Sequence, residues 1–175
     1  MVEETETRES QNSKTDFVAE DIEKVINNQG DEIALLMLGG VNYYTGQVFD
    51  FKSITKFCRT KGIKVGFDLA HAIGNIELLL HEWQVDFAVW CSYKYLNSGP
   101  GSIGGVFIHS KHHNSKLHRF AGWWGHNKED RFKMPDKFDP IRSAEGWQLS
   151  NPPILSLAAI SCLLYTSDAA DERRC

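Results

Sequence analysis

Four short apolar runs constrain this chain more than any other feature: IALLML at 33–38, IKVGF at 63–67, VDFAVW at 85–90 and IGGVFI at 103–108. Each is too short for a buried helix and suits a buried strand. Helical spacing fills the gaps between the first three. Asp50 can cap a helix that puts Phe51, Ile54, Phe57 and Cys58 on one face, with Gly62 ending it. Residues 75–83 place Ile76, Leu79, Leu80 and Trp83 on one helical face. Ahead of the first run, Val18, Ile22, Val25 and Ile26 recur at helical spacing through 17–29, and Gly30 supplies a stop. The fourth run follows a Ser/Gly/Pro loop. Alternating strand and helix predicts βαβ units with right-handed crossovers. Strands without polar alternation predict helices on both faces of a mostly parallel sheet.

The chain has 175 residues, 42% of them hydrophobic, enough for the core of one domain. A net charge of -4 gives no electrostatic reason to expect nucleic acid or an anionic membrane as partner. No apolar run approaches the ~20 residues of a membrane helix. The opening MVEETETRES lacks the apolar stretch of a secretory signal. Cys58, Cys91, Cys162 and Cys175 are far apart with no CxxC, which predicts reduced thiols in a cytoplasmic protein. The expected organisation is a loose lead-in over 1–16, a domain over 17–160 and a tail over 161–175 foreign to it. The pattern thins after residue 132, and a last helix is expected to start at ILSLAAISCLL (154–164).

Open α/β sheets bind ligands at the carboxyl ends of their strands. Asp68 follows the strand at 63–67, and Lys94 follows the strand at 85–90. If those strands are neighbours, an acid and an amine meet at one sheet edge. Such a pair suits pyridoxal 5'-phosphate (PLP): the lysine forms the Schiff base and the acid keeps the pyridine nitrogen protonated. Spacing alone is equally met by an ion pair or a helix cap. His71 can stack on or hydrogen-bond a planar ring, or be an ordinary loop histidine. Tyr93 can donate to a phosphate, or be a core aromatic with a wet hydroxyl. His109, His112 and His113 have metal-ligand chemistry, but the last two are adjacent and diverge on a helix, so a solvated face is expected there and no metal. GSIGG at 101–105 lacks the order of a phosphate loop.

Several motifs in one order carry a resemblance: DLAHAIGN, DFAVWCSYKYLNSGPGSIGGVFIH, GWWGH and SNPPI. Over about 17–160 the chain resembles the kynureninases, PLP-dependent hydrolases of the fold-type I (aspartate aminotransferase-like) superfamily. The resemblance implies an incomplete three-layer αβα large domain with a mostly parallel sheet. It implies hydrolysis of L-kynurenine, or its 3-hydroxy form, to anthranilate, or 3-hydroxyanthranilate, and L-alanine, in tryptophan catabolism and NAD biosynthesis. It makes Lys94 the cofactor lysine, Asp68 the partner of the pyridine nitrogen and His71 a cofactor-lining residue. Tyr93 becomes a phosphate contact and candidate acid, Trp123 a phosphate contact reaching across a homodimer interface, and Asn151 a further site residue. Trp123 is equally explained by packing, and Asn151 by a turn before Pro152 and Pro153. Animal relatives carry a serine where this chain has Gly39. In the family, an upstream phosphate-cradling turn, a stacking aromatic and a downstream arginine complete the site. None is found here, so the chain is expected to be a central piece, inactive alone. Competing readings are a cysteine desulfurase-like lyase, for which neither Cys58 nor Cys91 is well placed, and a non-catalytic fragment.

Overall fold

In the computed structural model, which describes residues 19–172, the elements run α1 (Ala19–Gln29), β1 (Leu35–Gly39), α2 (Phe51–Thr60), β2 (Lys64–Asp68), β3 (Phe87–Cys91), β4 (Gly104–Ile108) and α3 (Ile154–Glu172). The lead-in and Val18 lie outside the described residues, as does Cys175. The local signals act as expected at α2. Asp50 accepts the Ser53 amide at 2.9 Å, which also holds its carboxyl below the ordinary range. Past the helix end, Gly62 takes φ +73°. Helix α3 continues past residue 160 to Glu172.

The strands form one sheet in the order β1-β2-β3-β4. β1 and β2 pair in parallel, as do β2 and β3, while β4 runs antiparallel to β3. Paired residues point to the same face, so register sorts the side chains. Leu36, Leu38, Val65, Phe67, Ala88, Trp90 and Phe107 share one face and belong to the hydrophobic core. Helices α1 and α2 cover that face with Ile26, Phe51, Ile54 and Cys58. The Phe51 ring lies 4.4 Å from Phe67 and 5.2 Å from Trp83, centroid to centroid. Each large side chain buried here contributes roughly 1.5–3 kcal/mol.

On the opposite face, Leu35, Met37 and Val106 remain 47%, 48% and 39% exposed. The strands are apolar on both faces, as expected, but the described residues supply only one helical layer. The domain is α/β and incomplete.

The helix expected over 75–83 does not form. Isolated turns replace it: Ile76 donates to the Ala72 carbonyl, and Trp83 to that of Leu79. The residues packed on the core are Ile76, Leu78, Leu80 and Trp83, while Leu79 is 37% exposed. Burying 76, 78 and 80 together requires an extended chain, because side chains then alternate.

The histidine-rich segment after β4 is not a solvated helical face either. A short 3-10 turn holds Ser110–His112. His109 is 4% exposed and stacks on His81 with centroids 4.4 Å apart. Buried Asp86 organises this end of the sheet, accepting from Val65 N–H at 2.9 Å, His112 Nε2 at 2.6 Å and Lys111 Nζ at 3.0 Å. His113 Nε2 contacts the Ile108 carbonyl. Each histidine is thus engaged in packing or bonding. Among the described residues, no group of three or more His, Cys, Asp or Glu is placed to hold a metal ion.

Candidate active site

The other end of the sheet is built by the last ladder positions. Gly39 pairs with Asp68, and Asp68 with Val89. The ladder runs on: Gly40 donates to the Asp68 carbonyl and Leu69 to that of Val89, both at 2.8 Å. Asp68 therefore ends a strand that is held on both sides. Its Oδ1 accepts the Ala70 amide at 2.8 Å, turning the chain off the sheet. A Cβ at Gly40 would stand 2.6 Å from the Phe51 ring, so only glycine lets this turn close on α2. At Gly39 an added Cβ would meet the Val41 carbonyl at 3.6 Å, an ordinary contact. A serine would fit there.

Two loops leave the sheet beside each other. In the first, the His71 carbonyl accepts from Asn75 Nδ2 at 3.0 Å. In the second, Asn97, at φ +53°, donates its amide to the Lys94 carbonyl at 3.0 Å. Buried Ser92 and Ser98 close the base of this second loop. Ser98 Oγ lies 2.7 Å from the Ser92 carbonyl and 2.6 Å from Ser92 Oγ, and Ser92 Oγ donates to the Ile103 carbonyl at 2.5 Å. Gly74, at φ +73°, sets the gap between the loops: a Cβ there would lie 2.9 Å from Leu96.

This close packing brings Lys94 Nζ to 3.1 Å from His71 Nε2. The two line one cavity of about 740 Å³ with Asp68, Gly39, Asn42 and Tyr43. That volume is in the range of small-molecule sites, ~300–1,000 Å³. Apolar residues of α1 and β1 form much of the remaining wall. A second cavity of about 360 Å³ is bordered by Asp68, Lys94, Tyr93 and Cys91. Asp68 and Lys94 thus face both spaces, while Tyr93 borders only the second. Lys94 Nζ is 5.7 Å from the centroid of the Tyr93 ring.

Asp68, His71, Tyr93 and Lys94 therefore gather at one end of the sheet. Trp123 and Asn151 line neither cavity. Trp123 Nε1 donates to the Arg131 carbonyl at 3.1 Å, and the Arg131 guanidinium lies 4.8 Å above the Trp124 ring. Asn151 is exposed, with Oδ1 3.3 Å from Ser150 Oγ. Sequence reading missed Asn42 and Tyr43. The Asn42 side chain accepts the Tyr44 and Thr45 amides, a local turn signal that was present in NYYTG. Cys91 sits within a strand, and burial pushes the Cys58 thiol up to about 11. Neither is a mobile nucleophile.

The donor set fits PLP: an amine for its aldehyde, a carboxylate for its ring nitrogen, and room for both. Among the described residues, the Asp68 carboxylate accepts one hydrogen bond, from the Ala70 amide, which uses one of its two oxygens.

Comparison with known proteins identifies the family. The family profile described as Aminotransferase class-V matches residues 7–126. A kynureninase of Flavobacterium psychrophilum is 67% identical over 140 residues, covering 79% of this chain and 33% of the relative. A kynureninase of Koribacter versatilis is 57% identical over 152 residues, covering 86% of this chain and 36% of the relative. The chain spans about a third of the length of these relatives. A cysteine desulfurase of Escherichia coli superposes with a TM-score of 0.65 at 18% identity, covering 83% of this chain and 35% of its own. That likeness concerns the fold.

Proposed function

The chain belongs to the class-V aminotransferase family, and on that premise we propose that it is the lysine-bearing segment of a kynureninase. The reaction is the PLP-dependent hydrolysis of L-kynurenine or 3-hydroxy-L-kynurenine to anthranilate or 3-hydroxyanthranilate and L-alanine. One observation carries this reading: an amine and a carboxylate border the same cavity at the ends of adjacent parallel strands, in a sequence 67% identical to a kynureninase.

The bound cofactor supplies an electron sink for a carbanion formed beside an amino group. Asp68 would hold a proton on the ring nitrogen by charge and hydrogen bonding. Lys94 would anchor the cofactor and would take the proton from the substrate's α-carbon. Tyr93, bordering the second cavity with Lys94, is the candidate donor of the last proton to alanine. The complete enzyme on this reading is a cytoplasmic homodimer acting in tryptophan catabolism and NAD biosynthesis, with Trp123 and Asn151 completing the site. Among the described residues, no helix is long and apolar enough to cross a membrane.

A segment exchange tests the activity. Residues 17–160 replace the matching stretch of the Flavobacterium psychrophilum kynureninase, and anthranilate release from L-kynurenine is followed by fluorescence. The exchanged enzyme is expected to release anthranilate and alanine in equal amounts, and Lys94→Ala within it to release none. A folded exchange product that releases neither contradicts the proposal.

A further inference from the structure

We propose that His71 is the proton acceptor that frees the Lys94 amine to attack a carbonyl carbon. The inference deepens the functional reading above, which makes Lys94 the cofactor lysine. The resemblance gives His71 a place beside the cofactor; the structure gives it a second partner, the lysine itself.

The contact is Lys94 Nζ to His71 Nε2 at 3.1 Å. When the lysine carries its proton it has donors only, so Nε2 then accepts and the ring hydrogen sits on Nδ1. The His71 main chain is tied down, and its ring has an aromatic neighbour. Asn75 Nδ2 donates to the His71 carbonyl at 3.0 Å, and the Tyr95 ring meets His71 edge-on at 6.1 Å. Gly74 allows the two loops to touch. The other titratable groups around this cavity are Asp68, Tyr43 and, on α1, Asp21, with Tyr93 beside Lys94 in the second cavity. Among the described residues, none of these hydrogen-bonds or ion-pairs with Lys94 Nζ; His71 Nε2 does.

The chemistry balances without a further reactant. The ammonium proton passes to His71 Nε2, and the freed nitrogen pair forms the bond to the carbonyl carbon. The carbonyl π pair moves to oxygen, which takes one of the two protons left on the nitrogen. The second follows as the C–O bond breaks and water leaves, giving the neutral imine and a protonated His71.

The test uses a carbonyl probe with neither ring nor phosphate, so cofactor contacts do not enter. The chain is treated with propanal and cyanoborohydride, which delivers hydride to the imine carbon and fixes a propyl group on the nitrogen. Peptide mass spectrometry follows Lys94, with exposed Lys52 and Lys56 as internal references. His71→Ala is expected to slow alkylation of Lys94 by about 100-fold or more and leave Lys52 and Lys56 unchanged. Imidazole added to the buffer is expected to restore most of the rate at Lys94 in His71→Ala and to do nothing for the unsubstituted chain. A merely structural histidine would not be replaced by free imidazole. His71→Gln, which keeps a polar side chain of similar reach, guards against a folding defect and is expected to be slow as well. Unchanged Lys94 labelling in either folded variant overturns the inference, as does failure of imidazole to rescue. Loss of PLP capture with propanal behaviour intact would sink the cofactor reading and leave the His71 role standing.

Discussion

Asp86 and His112 lie 2.6 Å apart at the end of the sheet opposite Lys94. Three further donors converge there, from Val65, Lys111 and, at 3.9 Å, Lys64. Burial pushes the Asp86 carboxyl up, but the Val65 amide and the His112 and Lys111 side chains outweigh it and hold it below the ordinary value of 3.8. Burial, helped by the nearby Lys111 charge, also holds His109 below the ordinary 6.5. Both groups have depressed folded-state values, so both contribute stability at high pH that is lost on acidification. The His109 contribution falls away below about 6.5 and that of Asp86 below about 3.8. Urea midpoints from pH 8 to pH 3 should therefore fall in two stages. Asp86→Asn should flatten the lower stage and cost roughly 2–3 kcal/mol at pH 7, since it strands buried donors.

The Ser92 and Ser98 hydroxyls, 2.6 Å apart, close the loop that bears Lys94. Ser98→Ala and Ser92→Ala should each cost about 1–2 kcal/mol. The double variant should cost less than the sum, because the two serines share one network. Chemical denaturation of the four proteins measures the coupling, and strict additivity would refute the clamp.

Gly74 and Gly46 both have φ near +75°, but only Gly74 has a close neighbour, Leu96 at 2.9 Å from an added Cβ. An alanine at either should cost about 1–2 kcal/mol in backbone strain. Only Gly74→Ala should also move the two loops apart and slow PLP capture. Equal capture rates in the two variants would disprove loop-to-loop packing as the device that positions Lys94.

The sequence made much of this legible, for identifiable reasons. Asp50 and Gly62 carry their helix signals in the residues themselves, and the four apolar runs name the strands to within two residues. The run from Ile76 to Trp83 misled, because its helical spacing coincides with an alternation at 76, 78 and 80, and only the core decides between them. The antiparallel course of β4 has no local signature. The Asp68–Lys94 neighbourhood could be read because Asp68 ends β2 and Lys94 lies just past the end of β3. The His71–Lys94 contact could not, since it depends on Gly74 meeting Leu96 across two loops. Asp86 was passed over for a similar reason: its partners at 65, 111 and 112 are brought to it by pairing that no local pattern records.

The most direct measurement of the central claim is borohydride fixation of PLP followed by peptide mapping. A saturable visible absorption should develop on titration with PLP. After reduction, the added mass should sit on Lys94 and vanish in Lys94→Ala, while Asp68→Asn should weaken retention without moving the label. A label on another lysine, or a Lys94→Ala protein that still fixes the cofactor, would contradict the account.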